Sequence, residues 1–397
     1  MEFLLIAFNQ VEKANKKKSE KRVRVHLVNS MKDVKRDLKK KSKGIFPNGE
    51  KHALTLEEKW IIQSIEERTK KWNKNNVTRT EAYLQFYLYY PELHWAFLGH
   101  MVSRNGGWNM TDLKGEWFTK LLTDYEQRAF FSFLERGNWL IFQDIYPQFL
   151  VYEESLRRNK NLFYLLRSLN VSTFMETMWT YFWESRDPYP LAIALIINEQ
   201  NYLEKRVIQN DHFKKAVLNT LGFKLYDFFH FNHIIFPFYI SDHTQPSLVG
   251  ETSTHFTSLH ERIMLGKKLY ALIFGNKKVL AGALRWAKDR PHTGSRKDYW
   301  PHLFNNIKEE LPRSLYEPHI KDCELIKGAK HLYSPPLKFA WEDTPHEKAE
   351  EGDWFSDWRI LEYITGQDFT TDGEIYKDYC KTLEIIELAV LAKSALP

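Results

Sequence analysis

The segment TFMETMWTYFWES, residues 173–185, decides the fold class. After Thr173, the residues Met175, Met178, Trp179, Phe182 and Trp183 recur at i, i+3, i+4, i+7 and i+8, which is one face of an amphipathic helix. Thr173 followed by Glu176 fits a capping box, in which hydroxyl and carboxylate satisfy each other's free backbone N–H groups. A Met/aromatic stripe at this spacing is core rather than a cofactor box.

The same signals recur along the chain. Thr55 with Glu58, Ser258 with Glu261 and Thr371 with Glu374 fit the box, and Asp124 with Gln127 is a weaker version. Helices are expected over 56–71, 80–90, 92–104, 130–146, 191–197, 259–274, 360–364 and 372–393. The expected breaks are Asn105-Gly106-Gly107, an interruption at Gly137 and a stop at Pro147. Residues 191–197 are apolar all round, which predicts a buried helix. Residues 234–240 are β-rich, but Pro237 in their middle argues against a central strand. The expectation is therefore all-α: a large multi-helix body with an aromatic-rich core.

The chain has 397 residues, with 57 Lys/Arg against 51 Asp/Glu and 43 % hydrophobic content. This is ordinary globular composition and excludes a collagen, a mostly disordered chain or a polytopic membrane protein. Residues 1–45 alone hold 14 basic and 5 acidic side chains, so the basicity belongs to an N-terminal extension and the body is near neutral. Residues 1–50 are expected to be a poorly ordered or partly helical extension, and 51–397 a single domain whose lobes, if it has two, divide near 241–257. Met31 offers an alternative translation start. The apolar run at 3–8 is too short for a span, which needs about 20 residues, and lacks the pattern of a secretory signal. Cys323 and Cys380 are too few for a disulfide framework, and a reducing cytoplasm is the default.

Several clusters could carry chemistry. Arg104, Asn105, Gly106, Gly107, Trp108 and Asn109, followed by Thr111 and Asp112, read as a helix end, two permissive glycines and a new helix start. The new N-terminus could receive a small anion with Arg104 as its partner; the plainer reading is a tight interhelical turn. His230, His233, His243, His255 and His260, with Asp242, Glu251 and Glu261, could form a mixed site for zinc, iron or manganese, although no fixed ligand spacing such as HExxH is present. Glu199 follows the apolar 191–197 run, so it is either a buried, functional carboxyl or the point where the helix emerges into water. Arg285 to Trp300 interleaves bases and aromatics in the manner of a single-strand nucleic-acid contact or a solvated loop. The acidic stretch 341–353 reads as a cation-holding or a solvated loop.

HWAFLGHMVSRNGGWNMTDLKGEW (94–117), VTRTEAY (77–83), FLERGNWLIFQDIYPQ (133–148) and HERIMLGKKLYALIF (260–274) together resemble the YppC-like proteins of Bacillus and relatives, a family of unknown function. The likeness covers about residues 53–390. It implies a cytoplasmic bacterial protein and brings no activity, cofactor or site residue.

The expected function is a binding or scaffold protein with an aromatic-lined groove, whose partner is a protein or a small anionic ligand met at Arg104–Asp112. The competing expectation is a hydrolase-like enzyme using His260, His255, Asp242 and Glu199 as a metal or acid–base site. A third is nucleic-acid binding through the basic residues of 13–43. No cofactor is identified, and no ligand set for a metal.

Overall fold

The computed structural model describes residues 27–43, 53–220, 233–240, 245–253, 255–308, 316–366 and 371–395. The body is helical. Helix α1 (residues 27–42) buries Met31, Val34 and Leu38, at i, i+3 and i+7, while most of its lysines stay in water. The described part of the basic extension is thus an amphipathic helix docked on the core. Lys41 is held there, donating to Glu176 (3.0 Å) and Thr177 (2.9 Å).

Helices α2 (Leu56–Trp72), α3 (Asn76–Tyr89), α4 (His94–Asp112), the short α5 (Phe118–Leu121) and α6 (Asp124–Arg158) form the first half. A 3₁₀ turn (Phe163–Leu169), α7 (Thr173–Ser185), α8 (Pro188–Leu203) and α9 (Asp211–Phe213) follow. π-turns at Glu204–Ile208 and Lys214–Leu218 extend α8 and α9. Next come strands β1 (His233–Phe238) and β2 (Ser247–Thr252), then α10 (Leu259–Phe274) and α11 (Lys277–Asp289). Two-residue strands β3 (Phe304–Asn305), β4 (Ile320–Lys321), β5 (Glu324–Leu325) and β6 (Leu332–Tyr333) precede α12 (Leu337–Ala340), α13 (Glu362–Thr365) and α14 (Tyr376–Ser394).

The 173–185 stripe lies at the centre. Trp179 stacks on Phe163 (5.3 Å between centroids) and touches Tyr152, Phe149 and Phe182. Its N-cap is Ser172 rather than Thr173: Ser172 accepts from the Met175 N–H, and Glu176 pairs with Lys41 and Arg167 instead of closing a box. The box at Thr55 is complete, and Ser258 caps α10. At the start of α6 the box is Thr123 with Glu126, one residue before Asp124 and Gln127. Thr371 caps nothing; it donates to Glu251, and α14 starts at Tyr376.

Three expected breaks do not occur. Helix α4 runs through Gly106 and Gly107, and the 35-residue α6 runs through both Gly137 and Pro147. Proline in a helix interior costs about 3 kcal/mol. Here the turns on both sides of it are anchored, since Phe142, Ile145, Phe149, Leu150 and Val151 are fully buried. Gly137 faces open space, with nothing within 4 Å of an added Cβ. Gly137→Ala is therefore expected to stabilise the protein by roughly 0.5–1 kcal/mol through helix propensity, read as a higher urea midpoint.

The 234–240 segment is a strand after all. β1 pairs antiparallel with β2, with Pro237 opposite Leu248. Asn105 brackets Ile235 from the other side, accepting its N–H and donating to its carbonyl (both 2.9 Å), and the Tyr239 N–H donates to the Gly282 carbonyl. Residues 235 and 239 therefore point away from β2. So does Pro237 between them, and its missing N–H takes nothing from the ladder. Cys323 and Cys380 are joined as one disulfide, with Cα atoms 5.3 Å apart, tying the β4–β5 turn to α14.

Candidate functional site

Helices α3, α4, α6, α8 and α10, with β1, enclose a cavity of about 250 Å³. Its walls are mainly apolar: Trp95, Leu98, Ile141, Ile196, Leu265 and Phe133 among them. Small residues shape it. A Cβ on Gly266 would lie 2.5 Å from Ile196, so the glycine lets α10 cross α8 closely. Gly106 sits against the Asn138 amide in the same way. Asn105 closes one wall by its bonds to β1.

The polar groups on the walls are few, and most are committed. Arg79 pairs with Glu135. Arg262 donates to Gln200 (2.9 Å), to the Phe256 carbonyl (2.7 Å) and to Glu204. Asn138 donates to the Leu134 carbonyl. Glu199, near the end of α8, is different. It is half-buried because part of it faces the cavity, and its hydrogen-bond donors are the neutral side chains of Gln200 (3.1 Å) and Trp95. Desolvation raises its pKa to about 8, opposed by those two hydrogen bonds and reinforced by the nearby Asp144 carboxyl. At neutral pH the cavity thus presents a protonated acid.

Asp144 lies behind this wall on α6. Burial pushes it up to about 7, against hydrogen bonds from Asn198 (2.5 Å) and Gln148 (3.0 Å). Asn198 accepts from Ser172 and from Trp354, so this polar cluster pins α6, the start of α7, α8 and the chain at Trp354 together.

The 104–112 segment is placed differently from expectation. No helix begins there, so no N-terminus faces an anion. Arg104 is fully buried, stacked 4.1 Å over Trp286, donating to the Arg290 carbonyl (2.7 Å) and lying 3.8 Å from Asp298. It offers a surface anion nothing. Trp108 is fully buried against Tyr299, and Asp112 pairs with Arg296. Gly107 meets Asn76 and His292. Asn105, Gly106 and Asn109 do line the cavity, on the opposite face of the same helix.

The histidines do not converge. His255 and His260 are exposed, and His260 shares a hydrogen bond with the Tyr363 hydroxyl. His233 is buried with both ring nitrogens bonded, to Thr252 and Thr382. His230, Asp242 and His243 lie outside the described residues. Among the described residues no group of three or more His, Cys, Asp or Glu is placed to hold a metal. Of the acid–base candidates among the described residues, only Glu199 is on the cavity wall.

The 285–300 aromatics are unavailable for base stacking: Trp286, Tyr299 and Trp300 are buried, and Arg296 is tied to Asp112. Within 341–353, Trp341 donates to the Met110 carbonyl, Asp343 accepts from Asn75, and Asp353 accepts the Thr173 N–H. That stretch is a strap along the body. Among the described residues, no helix is long and apolar enough to cross a membrane. Of the basic stretch 13–43, residues 13–26 lie outside the described residues.

A family model described as "Protein of unknown function (DUF2515)" matches residues 71–372. The chain is 45 % identical over 238 residues to the uncharacterized protein YppC of Bacillus subtilis (strain 168), covering 60 % of this chain and 72 % of that protein. No solved structure matches the chain. The matched family region contains every cavity residue named above.

Proposed function

Because the chain belongs to the DUF2515 family of proteins of unknown function, no activity comes with its relatives, and we propose from the site alone that the protein binds a compact, mostly apolar ligand in the cavity between α4, α6, α8 and α10. The observation that carries this reading is a cavity of about 250 Å³ walled mainly by apolar side chains of an aromatic-rich helical body. Interiors normally leave few voids larger than a water molecule. An apolar cavity of roughly 150 Å³ already takes benzene, so this one has room for a two-ring system.

Gly137 provides the test. Its position on the cavity wall, with nothing within 4 Å, lets a leucine side chain enter the space without disturbing the helix. Indole is expected to bind the wild-type chain and raise its melting temperature. Gly137→Leu is expected to be folded, more stable without ligand, and unresponsive to indole. Equal indole responses in the two proteins would refute the assignment, as would no response in the wild type.

A second reading gives Glu199 a chemical role, since an acid held protonated at neutral pH on a cavity wall is the state a general acid requires. Binding is preferred because, among the described residues, His255 and His260 stay at the surface and bring no second catalytic group to the wall. The composition supports a cytoplasmic setting, and the Cys323–Cys380 bond pulls the other way, because cytosolic thiols are kept reduced.

A further inference from the structure

Resting on that binding reading, we infer that the cavity's ligand is a hydrophobic amine, an apolar body of about two fused rings with one ammonium group, which the Glu199 carboxylate receives.

Among the described residues, the charged and titratable groups that share the wall with Glu199 leave it without a cation, and Trp95 on α4 adds only a neutral indole N–H. From α3 come Arg79, already neutralised by Glu135, and the Tyr83 phenol. From α10 comes Arg262, neutralised by Glu204. From α6 comes Asp144, which is acidic. Gln200 gives its amide oxygen to Arg262 and its nitrogen to Glu199. Among the described residues no Lys, Arg or His is paired with Glu199. A carboxyl desolvated among apolar side chains without a cation is costly when ionised, and an ammonium ion brought in by a ligand removes that cost. An anionic ligand would instead face the Glu199 carboxyl on the wall, with the Asp144 carboxyl behind it. The apolar walls select the rest of the molecule by area.

Below about pH 8 the free protein holds Glu199 protonated. Binding an ammonium ligand forms the ion pair and releases that proton to solvent, so amine affinity rises with pH and levels off above the pKa.

The test compares 1-naphthylmethylamine with 1-naphthalenemethanol, its neutral isostere, on the full-length protein by calorimetry between pH 6 and 8.5. At pH 8.5 the amine is expected to bind at least about tenfold more tightly, with its affinity falling about tenfold per pH unit below 8. Glu199→Gln is expected to remove both the amine's advantage and its pH dependence. Alcohol binding as tight as amine binding at pH 8.5 would overturn the amine assignment and leave the cavity as a neutral-ligand site. Binding of neither would overturn both. The wild-type comparison stands whether or not the variant folds.

Discussion

Replacing Arg79 with methionine is expected to destabilise the protein by about 3–5 kcal/mol, among the larger effects available to one substitution. Arg79 is 1 % exposed and Glu135 2 %. The guanidinium donates to the carboxylate at 2.5 Å and to Asn73 at 3.2 Å, and His346 lies 3.4 Å from the other carboxylate oxygen. Removing Arg79 strands Glu135 as a buried charge whose main partner is gone. The cost comes from the stranded ion rather than from the lost attraction, because the pair itself was expensive to bury. The double variant Arg79→Met with Glu135→Leu is accordingly expected to recover most of the loss. Urea denaturation of the three proteins checks it; a single-variant loss below about 1 kcal/mol, within the range of an exposed ion pair, would contradict the account.

The second large effect concerns the glycine pair in α4. If Asn105-Gly106-Gly107 ended a helix, alanine at 107 would cost only the strain of a left-handed residue, about 1 kcal/mol. The structure requires a larger loss, from packing. A Cβ on Gly107 would stand 2.3 Å from Asn76 Oδ1 and 2.4 Å from His292 Nε2. Those atoms are bonded to each other at 2.8 Å, the imidazole nitrogen donating to the amide oxygen. Gly107→Ala therefore drives a methyl group into a buried hydrogen bond. Overpacking costs about 1–3 kcal/mol and each buried polar group left unsatisfied about 1–3 kcal/mol more. A net loss of about 3 kcal/mol is expected, against a propensity gain near 1 kcal/mol. A stabilised Gly107→Ala would refute the packing described for this crossing.

These two sites show where sequence reasoning reached and where it stopped. Periodicity and caps identified the helices, because one face of each must be buried and each end must satisfy its free N–H groups. The helices continue through Gly106, Gly107 and Pro147, since those residue types mark a terminus in one context and a buried, anchored turn in another. The all-apolar 191–197 run is buried, and Glu199, two residues after it, lies on the cavity wall. Asn105, Gly106 and Asn109 were also singled out, but for a helix end that does not exist; their actual role depends on how α4 is rotated against α6. Arg79 and Glu135 carry no local signal. A charge on an amphipathic helix reads as solvated until a partner 56 residues away is brought against it. Arg262 and Arg296 escape for the same reason.

Helix α4 also bears on how the chain is made. Its buried polar groups find partners far downstream: Asn105 in Ile235, Thr111 in Gly294, Asp112 in Arg296, Arg104 in Arg290 and the Met110 carbonyl in Trp341. The separations run from 130 to 231 residues. At a synthesis rate of roughly 5–20 residues per second, the last of these partners leaves the ribosome roughly 10–45 seconds after α4 itself. Until Trp286, Arg290 and Tyr299 have been made, Arg104 and Trp108 have water or a chaperone for company. The nascent protein is thus most vulnerable to aggregation in its first half, and a pause or truncation before residue 341 leaves that half without its closing strap.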